Sequence, residues 1–159
     1  MGTMYFFDMG QGGASGFEIW NSLPEDQHPK NQLSSMEDTF DGKQMGDGLA
    51  ALAEKYRYKI VLWESIGLGA KDFSSQILKA KATGVDAILL MANAPETVIL
   101  VRQMMENKFS VKSLQGWKGT CATEFWKALG KNAEISCVMG SGPWITHSRE
   151  LRNWESVTK

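Results

Sequence analysis

The most constraining feature of this sequence is a short, almost unbroken apolar run at residues 85–92, between two segments with helical periodicity. The run is too short for another helix, and it has no polar face. A strand without a polar face is covered on both sides, which is typical of a parallel sheet between layers of helices. A strand with a helix before and after it implies a right-handed crossover connection. Residues 70–109 therefore predict helix, buried strand and helix.

Three residues mark the ends of these helices. Asp72 is a good N-cap, because its carboxylate can accept from the free N–H groups of a first turn. Gly84 suits a left-handed C-cap at the end of the same helix. Pro95 falls in the first turn of the next helix, where its missing N–H costs nothing. The three signals set the predicted boundaries on both sides of the buried strand.

The same alternation continues through the chain and predicts one domain, residues 1–159, with a doubly wound, mainly parallel α/β sheet flanked by helices. A glycine-rich loop is expected at residues 10–16 and a turn at 39–42. The segment 31–38 is the most ambiguous of the strands, because it has few β-branched residues. Strands are expected at residues 5–7, 31–38, 59–64, 113–117 and 135–140, and helices at 17–23, 43–56, 124–129 and 147–159.

Composition excludes several classes of function. Seventeen basic residues oppose eighteen acidic ones, so no strong field favours nucleic acid or an anionic membrane. No apolar run approaches the roughly 20 residues needed to span a bilayer. The first residues do not form a secretory signal peptide. Cys121 and Cys137 match no zinc or redox spacing, and free thiols are favoured over a disulfide between them.

Ligands of such sheets bind at the carboxyl ends of the strands, so the loops there are the candidates for function. They comprise residues 8–15, 38–43, 92–96, 117–121 and 141–144. The glycine loop matches neither the dinucleotide-binding spacing nor the P-loop, which favours a plain turn. His28 and His147 do not accompany a nucleophile, so a catalytic triad is poorly supported. Asp38 and Asp41 fit a turn and helix cap better than a metal site.

Two tryptophans at strand ends are more informative. Trp117 and Trp144 each follow a short strand beside glycine or proline. Aromatic rings there suit a cleft that holds an organic ligand by stacking. A tryptophan in a loop can also be only a lid on the core, and the spacing leaves both interpretations open.

The segment around the buried strand resembles the second lobe of the type I periplasmic solute-binding proteins of ABC importers, of the branched-chain amino acid and amide receptor type. The resemblance extends from Tyr5 to Trp144, including the turn at Asp41-Gly42. The motifs that carry it are Gly69, Asp72-Phe73-Ser74, Lys81-Ala82, Gly84, Asp86-Ala87-Ile88-Leu89, Asn93-Ala94, Arg102-Gln103, the segment LQGWKGT and the Ala-Leu-Gly that ends at Gly130.

The resemblance implies a binding protein, not an enzyme, that captures a small organic solute (an amino acid, an amide or a carboxylate) between two lobes that close around it. It implies no cofactor and no metal, importer membrane subunits as partners, and a periplasmic or extracellular location. This chain would supply only the later lobe, and the surface left by the missing lobe could form a homodimer. The implied cleft positions are Gln11, Asn93, Ala94, Trp117, Lys118 and Trp144.

One departure bears on the solute. Amino-acid receptors of this type often carry an acid where this chain has Lys118, and that acid meets the solute's ammonium group. A lysine there would repel an ammonium and attract a carboxylate, so a carboxylate, amide or aromatic acid is expected unless Lys118 points to solvent. The alternatives are a ligand-sensing domain of a receptor or regulator and, with less support, a flavodoxin-like or nucleotide-dependent enzyme or a hydrolase.

Overall fold

The computed structural model describes residues 9–138, and within them the side chains of residue 14 and residues 16–133. The strand expected at residues 5–7, the helix expected at 147–159 and the predicted site residue Trp144 lie outside the described residues. Five strands and five helices alternate within the described part of the chain. The helices are α1 (Met9–Ser22), α2 (Phe40–Lys55), α3 (Ser74–Ala82), α4 (Ala94–Glu106) and α5 (Thr123–Leu129), and the strands are β1 (Asn31–Glu37), β2 (Lys59–Ile66), β3 (Ala87–Ala92), β4 (Ser113–Lys118) and β5 (Ser136–Val138).

The five strands form one sheet in the order β2-β1-β3-β4-β5, and every pairing is parallel. This confirms the predicted doubly wound α/β class. The helix that connects β1 to β2 lies on one face of the sheet, and the helix that connects β2 to β3 lies on the other. The strand order therefore reverses between β1 and β3. A crevice outside the carboxyl ends of the strands is expected at that reversal. No helix among the described residues is long and apolar enough to cross a membrane.

Each face of the sheet has its own core. The α3–α5 core lies on one face and is mostly aliphatic; its central side chains are Leu33, Ile77, Ile88, Leu90, Leu100, Val101, Leu114 and Phe125. The α1–α2 core lies on the other face and is rich in aromatic and sulfur-containing side chains; its members include Phe17, Trp20, Met36, Met45, Leu49, Leu89, Met91 and Trp117. Alternate residues of β3 enter opposite cores, as the period of a strand requires.

Two expectations about the first half of the chain are wrong. The glycine-rich segment is not a loop, because α1 begins at Met9 and continues to Ser22. Glycine is a poor helix former, and the burial of Phe17 and Trp20 against the sheet overrides that preference. The expected turn at residues 39–42 is also the start of α2, which begins at Phe40. Thr39 caps this helix by accepting a hydrogen bond from the Gly42 N–H at 3.0 Å.

The helix boundaries around β3 agree closely with the predictions. The N-cap position of α3 is Phe73, so the predicted N-cap at Asp72 is one residue early. The Asp72 carboxylate nevertheless accepts a hydrogen bond from the N–H of Ser74, the first residue of α3, at 2.9 Å. Hydrogen bonds from the side chain of Ser74 and, to a smaller extent, from its backbone N–H lower the pKa of the Asp72 carboxyl below its ordinary value. Gly84 has the positive φ of 66° that a left-handed C-cap requires. Pro95 lies in the first turn of α4, as expected.

One carboxylate joins the beginnings of three strands at the amino edge of the sheet. Asp86, just before β3, accepts hydrogen bonds from the backbone N–H groups of Lys30 and Asn31 at 2.8–3.0 Å. Its other neighbour is the Lys112 ammonium, 3.6 Å away and just before β4. The Asp86 backbone pairs with Asn31 on one side and Lys112 on the other. The register of β1, β3 and β4 is therefore fixed from this end.

Candidate functional site at the carboxyl edge of the sheet

The carboxyl ends of four strands form one row. Glu37 of β1 pairs in register with Ile66 of β2, and Ala92 of β3 pairs with Lys118 of β4. Met36 and Met91, one residue earlier, pair with each other and place Glu37 beside Ala92. The row therefore runs Ile66, Glu37, Ala92, Lys118 across the strand reversal between β1 and β3. This is the edge at which the sequence placed the candidate loops.

The β3–α4 turn brings Asn93 and Ala94 to this edge. Asn93 precedes α4, is exposed, and does not use its side-chain amide to cap the helix. Thr97 instead bonds the Asn93 carbonyl through its N–H at 3.0 Å and its hydroxyl at 2.8 Å. Ala94 is the first residue of α4 and is half-buried. The Asn93 amide is thus presented at the edge by a rigid turn.

The loop after β4 packs closely on that turn. A side chain at Gly119 would collide with the hydroxyl of Thr97 and with the carbonyl oxygens of Ala92 and Asn93. Lys118, just before it, has a φ of 61° and a ψ of −83°, which non-glycine residues rarely adopt. Such a conformation costs of order 1–3 kcal/mol and persists only where the surrounding structure imposes it. The close approach of the β3–α4 turn at Gly119, the next residue, is a constraint of this kind.

The side chain of Lys118 forms an ion pair that the sequence analysis did not foresee. Its ammonium donates to Oε1 of Glu37, a carboxylate that is only 3% exposed, whereas the Lys118 side chain is 41% exposed. The hydroxyl of Thr39 donates to the same oxygen at 3.2 Å. The expectation for Lys118 took its charge as unpaired; in the structure a buried carboxylate compensates it. The lysine neither points freely to solvent nor presents an isolated positive charge.

Trp117 precedes Lys118 in the sequence, but its side chain lies on the face of the sheet that α1 and α2 cover. Its side chain is 8% exposed and packs in the α1–α2 core with Met36 and Met91. The backbone of Gln11 belongs to α1. The structure thus brings Asn93, Ala94 and Lys118 together at the edge and places Trp117 in the interior. Binding roles for all of the predicted site residues stay predictions.

Sequence reasoning missed Glu37 and Phe40. Glu37 is 81 residues from Lys118 along the chain, and no local pattern links them. The available signal was its position at the end of the ambiguous strand, where an acid follows Ser34-Ser35-Met36. Phe40 opens α2 at the same edge and is 75% exposed. An exposed aromatic ring beside the strand ends could stack on an organic ligand.

The described residues offer little for covalent or metal chemistry. No group of three or more histidine, cysteine, aspartate or glutamate side chains within them could hold a metal ion. Cys121, in the loop after β4, is free, and burial raises the pKa of its thiol above the ordinary value. A raised pKa leaves the thiol protonated near neutral pH, which weakens it as a nucleophile. The polar groups of this edge suit non-covalent binding.

Comparison with known proteins agrees with this geometry. The sequence profile of the periplasmic binding protein family matches residues 33–154. A Leu/Ile/Val-binding protein homolog from Brucella melitensis is 30% identical over 93 residues, which are 58% of this chain and 25% of that protein. An amino acid binding protein from Pseudomonas aeruginosa is 33% identical over 75 residues, 47% of this chain and 20% of that protein.

Solved structures show the same fold. A type 1 periplasmic binding protein from Bordetella pertussis superposes with a TM-score of 0.71 at 22% identity, covering 83% of this chain and 34% of that one. A leucine binding protein from Thermotoga maritima gives a TM-score of 0.71 at 19% identity, covering 84% of this chain and 37% of that one. The chain thus spans about a third of the length of these structures. It belongs to the periplasmic binding protein family and has the α/β fold of one lobe of a type I member.

Proposed function

We propose that this chain is part of the substrate-binding component of an ABC importer and captures a small organic solute, an amino acid, an amide or a carboxylate, at the carboxyl edge of its sheet. The observation that carries the proposal is the single row of strand ends, where Asn93, Lys118 and Phe40 are exposed over a rigid sheet. The relatives described above bear the names of a Leu/Ile/Val-binding protein homolog, an amino acid binding protein and a leucine binding protein.

Capture in this proposal is non-covalent. The edge supplies the amide of Asn93, the ammonium of Lys118 and the ring of Phe40, and a second lobe supplies the opposite wall. Closure of two lobes excludes water and strengthens each polar contact. The importer's membrane subunits then recognise the closed form in the periplasm or outside the cell. No bond is made or broken, so the proposed protein is not an enzyme.

Isothermal titration calorimetry against panels of amino acids, amides and carboxylates tests the proposal. For any solute that binds, Asn93→Ala is expected to weaken the affinity about tenfold, the loss of one net hydrogen bond. The matched control is Asn132→Ala, because Asn132 is exposed in the turn before β5, at the amino edge. Equal weakening by both variants, or binding only of nucleotides, would contradict the proposed site and function.

Self-association through the surface that a second lobe would cover stays part of the proposal. Within the described part of the sheet, β2 lies at one edge and carries an exposed Trp63, and such edges can pair with another copy. Light scattering over a range of concentrations tests it. A mass that remains that of one chain at the highest concentration would contradict it.

A further inference from the structure

The carboxylate of Glu37 is buried but only partly satisfied. Oε1 accepts from Thr39 and Lys118, whereas Oε2 is inaccessible to solvent and has no hydrogen-bond partner among the described residues. A buried carboxylate costs several kcal/mol unless charged or polar donors surround it. Lys118 is the one cation paired with it in the described part of the chain. Glu37 therefore forms a small buried anionic site whose natural partner is an N–H-bearing cation.

Lys118 reaches this site from across the crevice. It lies on β4, and Glu37 lies on β1, with β3 between them. Ala92 occupies the β3 position in the row, between the strand ends that carry the two partners, and its side chain is only a methyl group. The ammonium thus rests at the reversal of strand order, where ligands of such sheets bind.

The two partners of this ion pair differ in how firmly they are held. Glu37 is fixed by burial and by the Thr39 hydroxyl, and the close approach of α2 at Gly42 covers its backbone. The Lys118 side chain is 41% exposed, whereas that of Glu37 is 3% exposed, so solvent already reaches much of the lysine and almost none of the carboxylate. The Lys118 ammonium is therefore the partner that can be exchanged for another cation, and the Glu37 carboxylate is the partner that stays in place.

We propose that Glu37 is a subsite for a protonated primary amine, and that Lys118 is its tethered occupant in the unliganded chain. A solute ammonium replaces the lysine ammonium like for like, so the carboxylate keeps a charged partner throughout. A solute with only a carboxylate gains nothing from Glu37. The inference rests on the proposed function, because the solute supplies the amine. It favours a solute with an ammonium group, whereas the charge of Lys118 alone suggested a carboxylate.

The tether makes this subsite selective. A tethered group acts at a millimolar or higher effective concentration. A simple amine without other contacts therefore competes poorly with Lys118, whereas a solute that also contacts Asn93 or Phe40 can displace it. Removal of the lysine ammonium should uncover the subsite for simple amines.

Chemical rescue in the 159-residue chain tests this inference. Lys118→Met removes the ammonium and keeps much of the apolar stem, so Glu37 is left buried without a cation and the melting temperature falls. Methylammonium chloride is expected to raise the melting temperature of this variant several times more than that of the unsubstituted chain. Sodium chloride and tetramethylammonium chloride at the same ionic strength should not, because neither cation has an N–H donor.

The matched control is the double variant Glu37→Gln, Lys118→Met, in which methylammonium should have no specific effect. Lys118→Gln, which keeps a neutral N–H donor, is a second background for the same measurement should the methionine variant not fold. Equal responses to methylammonium and sodium, or the same response in the double variant, would overturn the proposal. Because the assay uses neither solute nor second lobe, rescue without solute binding by calorimetry would refute the proposed function alone.

Discussion

The two faces of the sheet are covered by different kinds of side chain. The α3–α5 core is mostly aliphatic, and Ser35, the polar residue of β1 on that side, bonds Gln76 of α3. The α1–α2 core stacks Phe17 and Trp20 with tyrosines, with ring centroids 5.1–5.7 Å apart. It also buries four side-chain polar atoms that have no partner among the described residues: Trp20 Nε1, Gln32 Oε1, Ser34 Oγ and Gln115 Oε1. The other such atoms in the described part of the chain are Glu37 Oε2, Glu96 Oε2 and Thr120 Oγ1.

The α1–α2 core therefore combines aromatic rings with more unpartnered buried polar atoms than the mostly aliphatic α3–α5 core, but such atoms are not confined to it. Unpartnered buried polar atoms each cost about 1–3 kcal/mol. Gln115 offsets part of this by donating to the Gly16 carbonyl of α1 at 3.0 Å. The contact between α1 and the sheet therefore depends on a few aromatic rings and hydrogen bonds, and α1 should be the first helix to detach as stability falls.

The largest expected effect comes from adjacent leucines that point into opposite cores. Leu90 lies in the α3–α5 core and Leu89 in the α1–α2 core, and both are fully buried. Leu90→Ala should cost about 4 kcal/mol and Leu89→Ala about 2–3 kcal/mol, because the flexible methionine side chains of the α1–α2 core can move into a cavity more readily than the aliphatic side chains of the α3–α5 core. Urea denaturation measures both. Equal losses would show that the two cores are equally well packed.

Alanine substitutions at two adjacent serines of β1 should change the free energy of unfolding in opposite directions. Ser34→Ala removes a buried hydroxyl without a partner and should stabilise the chain by about 1 kcal/mol. Ser35→Ala removes a 3.3 Å hydrogen bond to Gln76 and should destabilise it by about 0.5 kcal/mol. The free energy of unfolding decides. A loss of stability in both variants would mean that Ser34 is satisfied in solution.

The smallest effect should appear at alkaline pH. Tyr56 donates to Glu18 at 2.9 Å, a bond that raises the pKa of its phenol, and burial raises the pKa of Tyr58, which donates to Asn21 at 2.8 Å. Both bonds join α1 to the rest of the chain. Since the folded pKa values are raised, this stabilisation is complete below the ordinary tyrosine pKa of about 10 and is lost as pH rises through the folded values.

Urea denaturation between about pH 8 and about pH 11, a range that spans the ordinary tyrosine pKa, measures this loss. The double variant Tyr56→Phe, Tyr58→Phe should lack this part of the alkaline dependence. An unchanged alkaline profile in that variant would show that the two phenols do not hold α1.

The same contrast explains what the sequence could predict. Residues of β3 are apolar on both faces, so burial was readable from pattern alone. β1 was ambiguous because it has few β-branched residues. The structure buries its Gln32, Ser34 and Ser35 against their usual preference, which no sequence pattern indicated. The glycines of α1 signalled a loop, and only packing of Phe17 and Trp20 on the sheet, a tertiary effect, makes that segment helical.

The candidate site was predictable as an edge but not as a set of contacts. Parallel topology alone placed Asn93 and Lys118 among the strand ends. The partner of Lys118 could not be found locally, since Glu37 comes from a strand two positions away in the sheet. A charge read from sequence without its partner led to the carboxylate preference, and the buried acid beneath it changes that inference.

The carboxylate of Asp86 has a consequence for how such an edge can change. Through its hydrogen bonds and ion pair it connects the starts of β1, β3 and β4, so the register of these strands does not depend on the residues at their carboxyl ends. Residues at the carboxyl edge, such as Lys118, can then be substituted without a shift in strand register. A sheet whose register is fixed at its amino edge can therefore change its ligand preference at the carboxyl edge and keep its fold.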